Sequence, residues 1–218
     1  MKTKDIVIPG EMVEERKGRK LGIGVYLEDD KVFSKVLGIS RIDENEVSVI
    51  ALSGVYTPKV GDRIIGTIEE VEISGWLVNI NSPYAAFLPL AEAVEEFVDT
   101  SRSDLSRYFD VGDIIYCKIS KVTKSKNVQV SMNDMSARKL HEGVVIKVTP
   151  TKIPRMIGKE GSMVNLIKSK TGCIITTGQN GLVWIKGDNK AKAIETILTI
   201  EKESHTVGLT EKIEKMLA

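Results

Sequence analysis

The sequence predicts a mostly β protein that ends in an α+β domain. Three observations carry this. Short Val- and Ile-rich runs, separated by glycine or charged turns, recur from residue 6 to residue 132. Aromatic residues make up only 5% of the 218 while glycine occurs 18 times, which suits short strands and tight turns better than one large core. Beyond Pro150 the periodicity becomes helical, with two short patterns flanking Gly158-Lys159-Glu160-Gly161 and a longer one after Asn189.

Composition sets the outer bounds. With 42% hydrophobic and 28% charged residues and a formal net charge of +1, the chain suits two small domains or three very small ones. The start, MKTKDIVIPGEM, has too short an apolar run for a signal peptide, and no run reaches the ~18 residues of a membrane span, so the expected location is the cytoplasm with no membrane partner. Cys117 and Cys173 lie alone in strand-like runs, so neither a zinc site nor a disulfide framework is expected. Charge is uneven along the chain: residues 139–218 carry 13 Lys and Arg against 8 Asp and Glu, residues 59–135 carry 8 against 12, and residues 1–58 carry 9 against 10. A basic end module suits a polyanion, and an acidic middle module suits a protein surface.

Residues 1–58 read as a strand-rich docking domain. Pro9-Gly10 breaks the first short strand, a basic turn (Arg16, Lys17, Arg19, Lys20) surrounds Gly18, and three Val/Ile/Leu-rich runs follow as antiparallel strands of one small sheet. About four strands without a helix bury little alone, so this domain is expected to pack on a neighbour or a partner. The basic turn is either a solvated hairpin end or a phosphate or carboxylate contact.

Residues 59–135 show the order of a five-stranded barrel: RIIGTIEEVEI, WLVNI, YAAFLP, then after an acidic interval IIYCKI and VQVSM. Gly66 within the first strand predicts sharp curvature or close approach. Five short strands with one irregular insertion match the oligonucleotide/oligosaccharide-binding (OB) barrel. The order VGDRIIGTI, GWLVNI, AFLPL, VGDIIYCKI, VQVSM resembles the S1-type RNA-binding version of that barrel. The resemblance implies exposed aromatics on the second and third strands, here Trp76 and either Tyr84 or Phe87, on which bases would stack. Trp76 beside Gly75 is a candidate for base or partner contact, and Phe87 reads as a core residue. The basic or histidine residue that the family often carries after Leu-Pro is replaced by Leu90-Ala91-Glu92. Arg102 and Arg107 in the insertion could compensate at the rim or stand as plain loop charges.

From Gly143 onward the order is strand, helix, glycine loop, helix, strand, strand, helix. Ile153–Ile157 forms the first helix, Ser162 is placed to cap the second over Met163–Thr171, and Gly172 ends it. Asp188 or Asn189 is placed to cap the last helix, and Gly208–Ala218 is a short tail. Trp184 reads as core or partner packing. This order, with Gly158-Lys159-Glu160-Gly161 between the helices, resembles the KH domain (type I, β-α-α-β-β-α) over residues 139–218. The resemblance implies that the loop clamps the backbone of a four-nucleotide single strand. Glycines suit both ends, where a β-carbon would block that approach. Lys159 adds a point charge that Glu160 offsets, while Ile157, Arg155 and Lys152 line the expected groove. Read without the resemblance, the loop is a helix–helix turn.

No metal-spaced ligand cluster, phosphate-cradling loop or nucleophile elbow occurs, His141 and His205 are isolated, and Asp62 and Asp113 are turn formers, so no catalysis and no cofactor are expected. An N-terminal β domain, one S1-type barrel and one KH domain together resemble the RNA-binding cap subunit of the archaeal exosome. Val7-Ile8-Pro9-Gly10-Glu11, Leu21–Tyr26 and Tyr56–Asp62 stand as in that family, although Thr is more usual where Val25 stands. The resemblance implies three caps on a hexameric ring of ribonuclease-PH-like phosphorolytic subunits, with single-stranded RNA guided into the channel, poly(A)-rich tails preferred, and docking through the first domain and the barrel. A stand-alone RNA chaperone or regulator is the alternative. Polynucleotide phosphorylase has the reverse domain order, and the second exosome cap type requires a zinc ribbon whose cysteines are missing.

Overall fold

A computed structural model describes residues 5–94, 104–204 and 208–217. The chain forms two compact units, 1–54 and 55–218.

The first unit contains β1 (Ile6–Val7), β2 (Met12–Glu15), β3 (Lys20–Leu21), β4 (Val25–Glu28), β5 (Lys31–Ser34), β6 (Gly38–Ile42) and β7 (Glu46–Ala51). They form two sheets, β1-β6-β7-β3 and β2-β5-β4, rather than the single antiparallel sheet expected, and β3 pairs with β7 in parallel. The glycines of Leu21–Gly24 let the chain stay close to β7 beyond that pair. Gly24 lies at φ +79 against the Val49 carbonyl, and a Cβ at Gly22 would sit 2.7 Å from that of Ser48, so only a bare backbone runs this close to β7. Five buried valines, Val7, Val25, Val32, Val47 and Val49, make the core. In the basic turn, Arg19 forms an ion pair with Glu14.

The second unit opens with the barrel: β8 (Arg63–Glu72), β9 (Gly75–Asn79), β10 (Ala86–Pro89), α1 (Leu90–Ala93), β11 (Ile114–Val122), β12 (Val128–Ser131) and β13 (Arg138–Leu140). The five-stranded OB-type barrel closes through a parallel β10–β12 pair, and β13 adds an edge to β11. Gly66 acts as its sequence position predicts: a methyl there would collide with Val78, and the register shifts between Ile68 and Glu70 as β8 bends. Trp76, fully enclosed, anchors the core by stacking edge-on to Phe109 at 5.3 Å and donating its Nε1–H to the Phe109 carbonyl at 2.8 Å.

The C-terminal α+β part has β14 (Val144–Lys147), α2 (Ile153–Ile157), α3 (Ser162–Thr171), β15 (Ile174–Thr177), β16 (Leu182–Lys186), α4 (Lys190–Lys202) and α5 (Leu209–Leu217). The sheet order is β14-β16-β15. Val183 and Ile185 face the helices, while Leu182 and Trp184, one residue out of phase, pack on Ile65 and Leu140 of the barrel. Both sheet faces are therefore covered. α5 is an addition to the expected order: Leu209, Ile213 and Leu217, four residues apart, are buried in this core where a bare tail was expected. Neither expected side-chain cap forms. Gly161 occupies the N-cap of α3, and Asn189 at the N-cap of α4 donates instead to the Thr171 carbonyl at 3.1 Å.

Candidate nucleic-acid interface

The glycine loop takes its shape from two glycines at positive φ, one of which has no room for a side chain. Gly158 lies at φ 76, ψ 177, and a Cβ there would stand 2.8–2.9 Å from Met163 N, Met163 Cβ and Ser162 Oγ. Gly161 is left-handed at φ 81, ψ 8, and Glu160 between them is also left-handed at φ 54, ψ 27. The chain thus turns sharply from α2 into α3 with its backbone bare. Gly161 supplies no side-chain acceptor at the start of α3, and the first N–H of that helix, that of Ser162, donates to the Lys159 carbonyl.

Around this turn the sequence-predicted residues converge. Lys159 and Glu160 are exposed, Arg155 is exposed on α2, Lys152 is half-buried in the 3-10 turn Pro150–Lys152, and Ile157 packs against the core below. Lys152, Arg155 and Lys159 thus stand about a loop tip that carries Glu160, while Glu201 accepts from Thr149 at the start of the Pro150–Lys152 turn.

The barrel residues separate. Trp76 corrects the expectation: enclosed on all sides and hydrogen-bonded, it has no ring face to offer a base. Arg107 is exposed on the 3-10 turn Leu105–Arg107, next to Phe109 and hence at the Trp76 end of the barrel. Arg102 lies outside the described residues. Tyr84 is half-buried against the barrel core in the β9–β10 turn, the turn that touches the C-terminal part. Phe87, read from sequence as core, is only half-buried. With Lys121, Thr123, Asn127, Val128 and Gln129 it lines an open groove of ≈ 320 Å³. Sequence reasoning missed Lys121 and Gln129; the signal available was the lysine spacing of Lys118, Lys121, Lys124 and Lys126, hidden by averaging charge over the whole barrel. Among the described residues no His, Cys, Asp and Glu cluster is placed to hold a metal ion.

Two family models match this chain, "RRP4, S1 domain" over residues 55–121 and "KH domain" over residues 143–191. The chain is 40% identical over 222 residues to the exosome complex component Rrp4 of Pyrococcus abyssi, covering 100% of this chain and 83% of that one. It is 37% identical over 219 residues to the protein of the same name from Methanothermus fervidus, covering 100% and 96%. A solved structure described as an exosome complex RNA-binding protein superposes with a TM-score of 0.69 at 31% identity, covering 75% of this chain and 95% of the other.

Proposed function

The chain belongs to the exosome complex component Rrp4 family, and on that premise we propose that it is a non-catalytic, RNA-binding cap subunit that holds single-stranded RNA at the Gly158–Gly161 loop. The observation that carries this reading is the loop itself: a bare backbone turn leading into a helix start that has no side-chain cap, with Lys152, Arg155 and Lys159 about it. Such a surface suits a phosphodiester backbone, which needs close approach and positive charge rather than a deep pocket. Chemistry is done elsewhere, on a hexameric ring of phosphorolytic subunits in the cytoplasm that carries three such caps. A preference for poly(A)-rich tails belongs to the same reading.

Docking falls to residues 1–58 and to the acidic end of the barrel. On the first unit Ile6, Ile8 and Ile23 are 58–67% exposed, and on the barrel Ile73 is 85% exposed and Val111 62%. Apolar side chains presented this openly suit burial against a partner.

The test is Lys159→Glu with Gly161→Asp. Asp is among the few residues that visit the left-handed backbone of Gly161, and its Cβ would meet nothing nearer than the Asn165 side chain at 3.4 Å, so the strain stays local and a single cooperative urea transition checks that the fold is kept. Single-stranded RNA affinity of the assembled particle is expected to fall about tenfold or more, ~1.4 kcal/mol. Wild-type affinity in that variant would sink the reading.

A further inference from the structure

We propose that Asn180 is a site of spontaneous deamidation that the fold keeps sealed, so that Asn180-Gly181 marks, irreversibly, each molecule in which the KH domain has come away from the barrel. The proposal does not depend on where RNA binds.

The chemistry resides in the dipeptide. Asn180 is the one asparagine of the chain that glycine follows. With no side chain on Gly181, its backbone nitrogen has an open approach to Cγ of the Asn180 carboxamide, which makes such a pair labile in a free chain. The Gly181 nitrogen gives its proton to hydroxide and attacks Cγ. A new C–N bond closes a five-membered succinimide, the bond from Cγ to Nδ2 breaks, and the side-chain nitrogen leaves as ammonia. Water then opens the ring at either carbonyl and leaves an aspartyl or an isoaspartyl residue. In sum, one carboxamide and one water become one carboxylate and one ammonium ion.

The fold requires both residues of this labile pair. Gly181 lies at φ +82, and a Cβ on it would stand 2.4 Å from the Val148 carbonyl oxygen and 3.0 Å from the Pro150 ring. Asn180 is fully buried, its Nδ2 donating to the Ile65 carbonyl at 2.6 Å and the Ile80 carbonyl at 2.8 Å while its Oδ1 accepts from Ile65 N–H at 3.3 Å. Two donors and one acceptor at that reach are what a carboxamide supplies and a carboxylate does not.

Those same contacts hold the reaction off. The Gly181 N–H is engaged by the Gly178 carbonyl at 3.1 Å, closing a β-turn. The nitrogen that must depart is held by two carbonyls. Ile65, Ile80 and Asn180 are all 0% exposed, so neither the hydroxide that starts the reaction nor the water that ends it reaches Cγ. The turn is also pinned where it sits. Asn81 Nδ2 donates to the Asn180 carbonyl at 2.9 Å, and the Gln179 side chain accepts from Arg63 N–H at 2.7 Å. Gly178 packs so closely that a Cβ on it would lie 2.7 Å from Ile65 N. Ring closure therefore waits for the 178–181 turn to withdraw from the barrel.

The product bars the way back. An ionised carboxylate only accepts hydrogen bonds, so the Ile65 and Ile80 carbonyls would face a buried negative charge where they had donors. The isoaspartyl form also adds a methylene to the main chain. That lengthening falls between the Gly178 N–H to Leu182 carbonyl bond and the Val148 N–H to Gly181 carbonyl bond, both 2.8 Å, which fix the turn to its own sheet. Withdrawal is reversible before the reaction and one-way after it.

The test holds the full wild-type chain at pH 8 in native buffer and in rising urea. Mass spectrometry of the tryptic peptide 171–186 reads conversion of Asn180, and hydrogen exchange at Ile65 N–H reads withdrawal of the turn. Conversion in native buffer is expected to be about a hundredfold or more slower than in the unfolded chain, because three buried hydrogen bonds must break together. Between these limits conversion and Ile65 exchange should rise in step, since both require the Ile65 N–H to Asn180 Oδ1 bond to break. Native conversion at the unfolded rate, or conversion while Ile65 stays protected, overturns the seal. An unfolded chain that does not convert overturns the site. Asn180→Asp, made without passing through denaturant, should exchange Ile65 N–H about tenfold or more faster than the wild type, the loss of protection expected when buried bonds are removed. Wild-type protection in that variant overturns the one-way behaviour.

Discussion

At the scale of single residues, environment decides chemistry. Gly158 and Gly161 are needed for different reasons, one because its neighbours leave no room for a Cβ and the other because its backbone is left-handed with open space around it. Sequence spacing could not distinguish these. Trp76 and Phe87 show the same limit in reverse. Both lie in a barrel that alternates inward and outward, with Trp76 paired to Leu88 on the inner face and Phe87 paired to Leu77 on the other, so the aromatic placed outward is Phe87. Cys117 is buried in the barrel core, and burial pushes its thiol up to about 12. It is expected to resist iodoacetamide in the native protein at pH 8 and to react within minutes in denaturant, as mass spectrometry of the Cys117 peptide would report. Rapid native labelling would contradict the enclosed position.

At the scale of elements, most of the architecture was legible and the exceptions have causes. The β14-α2-α3-β15-β16-α4 order follows from periodicity and glycine placement, because each element's apolar stripe meets one shared core. α5 was passed over although its four-residue apolar spacing stood in the sequence; nine residues of mixed polarity look like a tail until a core exists to receive them. Its contribution is measurable. Ile213→Ala, at a fully buried position among α5's neighbours, is expected to cost about 2–4 kcal/mol in urea unfolding. A loss below about 0.5 kcal/mol, the size of a surface change, would mean that α5 does not dock in solution. The β3–β7 pair is not legible for a different reason: a two-residue strand carries no pattern, and the glycines that follow it, which let the backbone come near β7, say nothing of its direction.

At the scale of the whole molecule, the main addition is the union of barrel and KH domain into one unit. Asn180→Ala would leave the Ile65 and Ile80 carbonyls and the Ile65 N–H without their buried partner. Each such group costs about 1–3 kcal/mol, so the unfolding midpoint should fall clearly and hydrogen exchange at Ile65 should accelerate. Unchanged exchange there would show that the joint does not depend on this side chain.

The sequence by itself determined the strand-rich composition, the barrel order, the framed glycine loop and the family to which the chain belongs, because these follow from local periodicity and from residues that only certain backbones accept. Only the tertiary structure decided that Trp76 is core, that Gly178–Gly181 is seated in the barrel, and that Phe87 lines a groove with Lys121 and Gln129. Those facts depend on strand register and direction, which bring together residues more than 100 positions apart, such as Ile65 and Asn180, and no local pattern encodes that pairing.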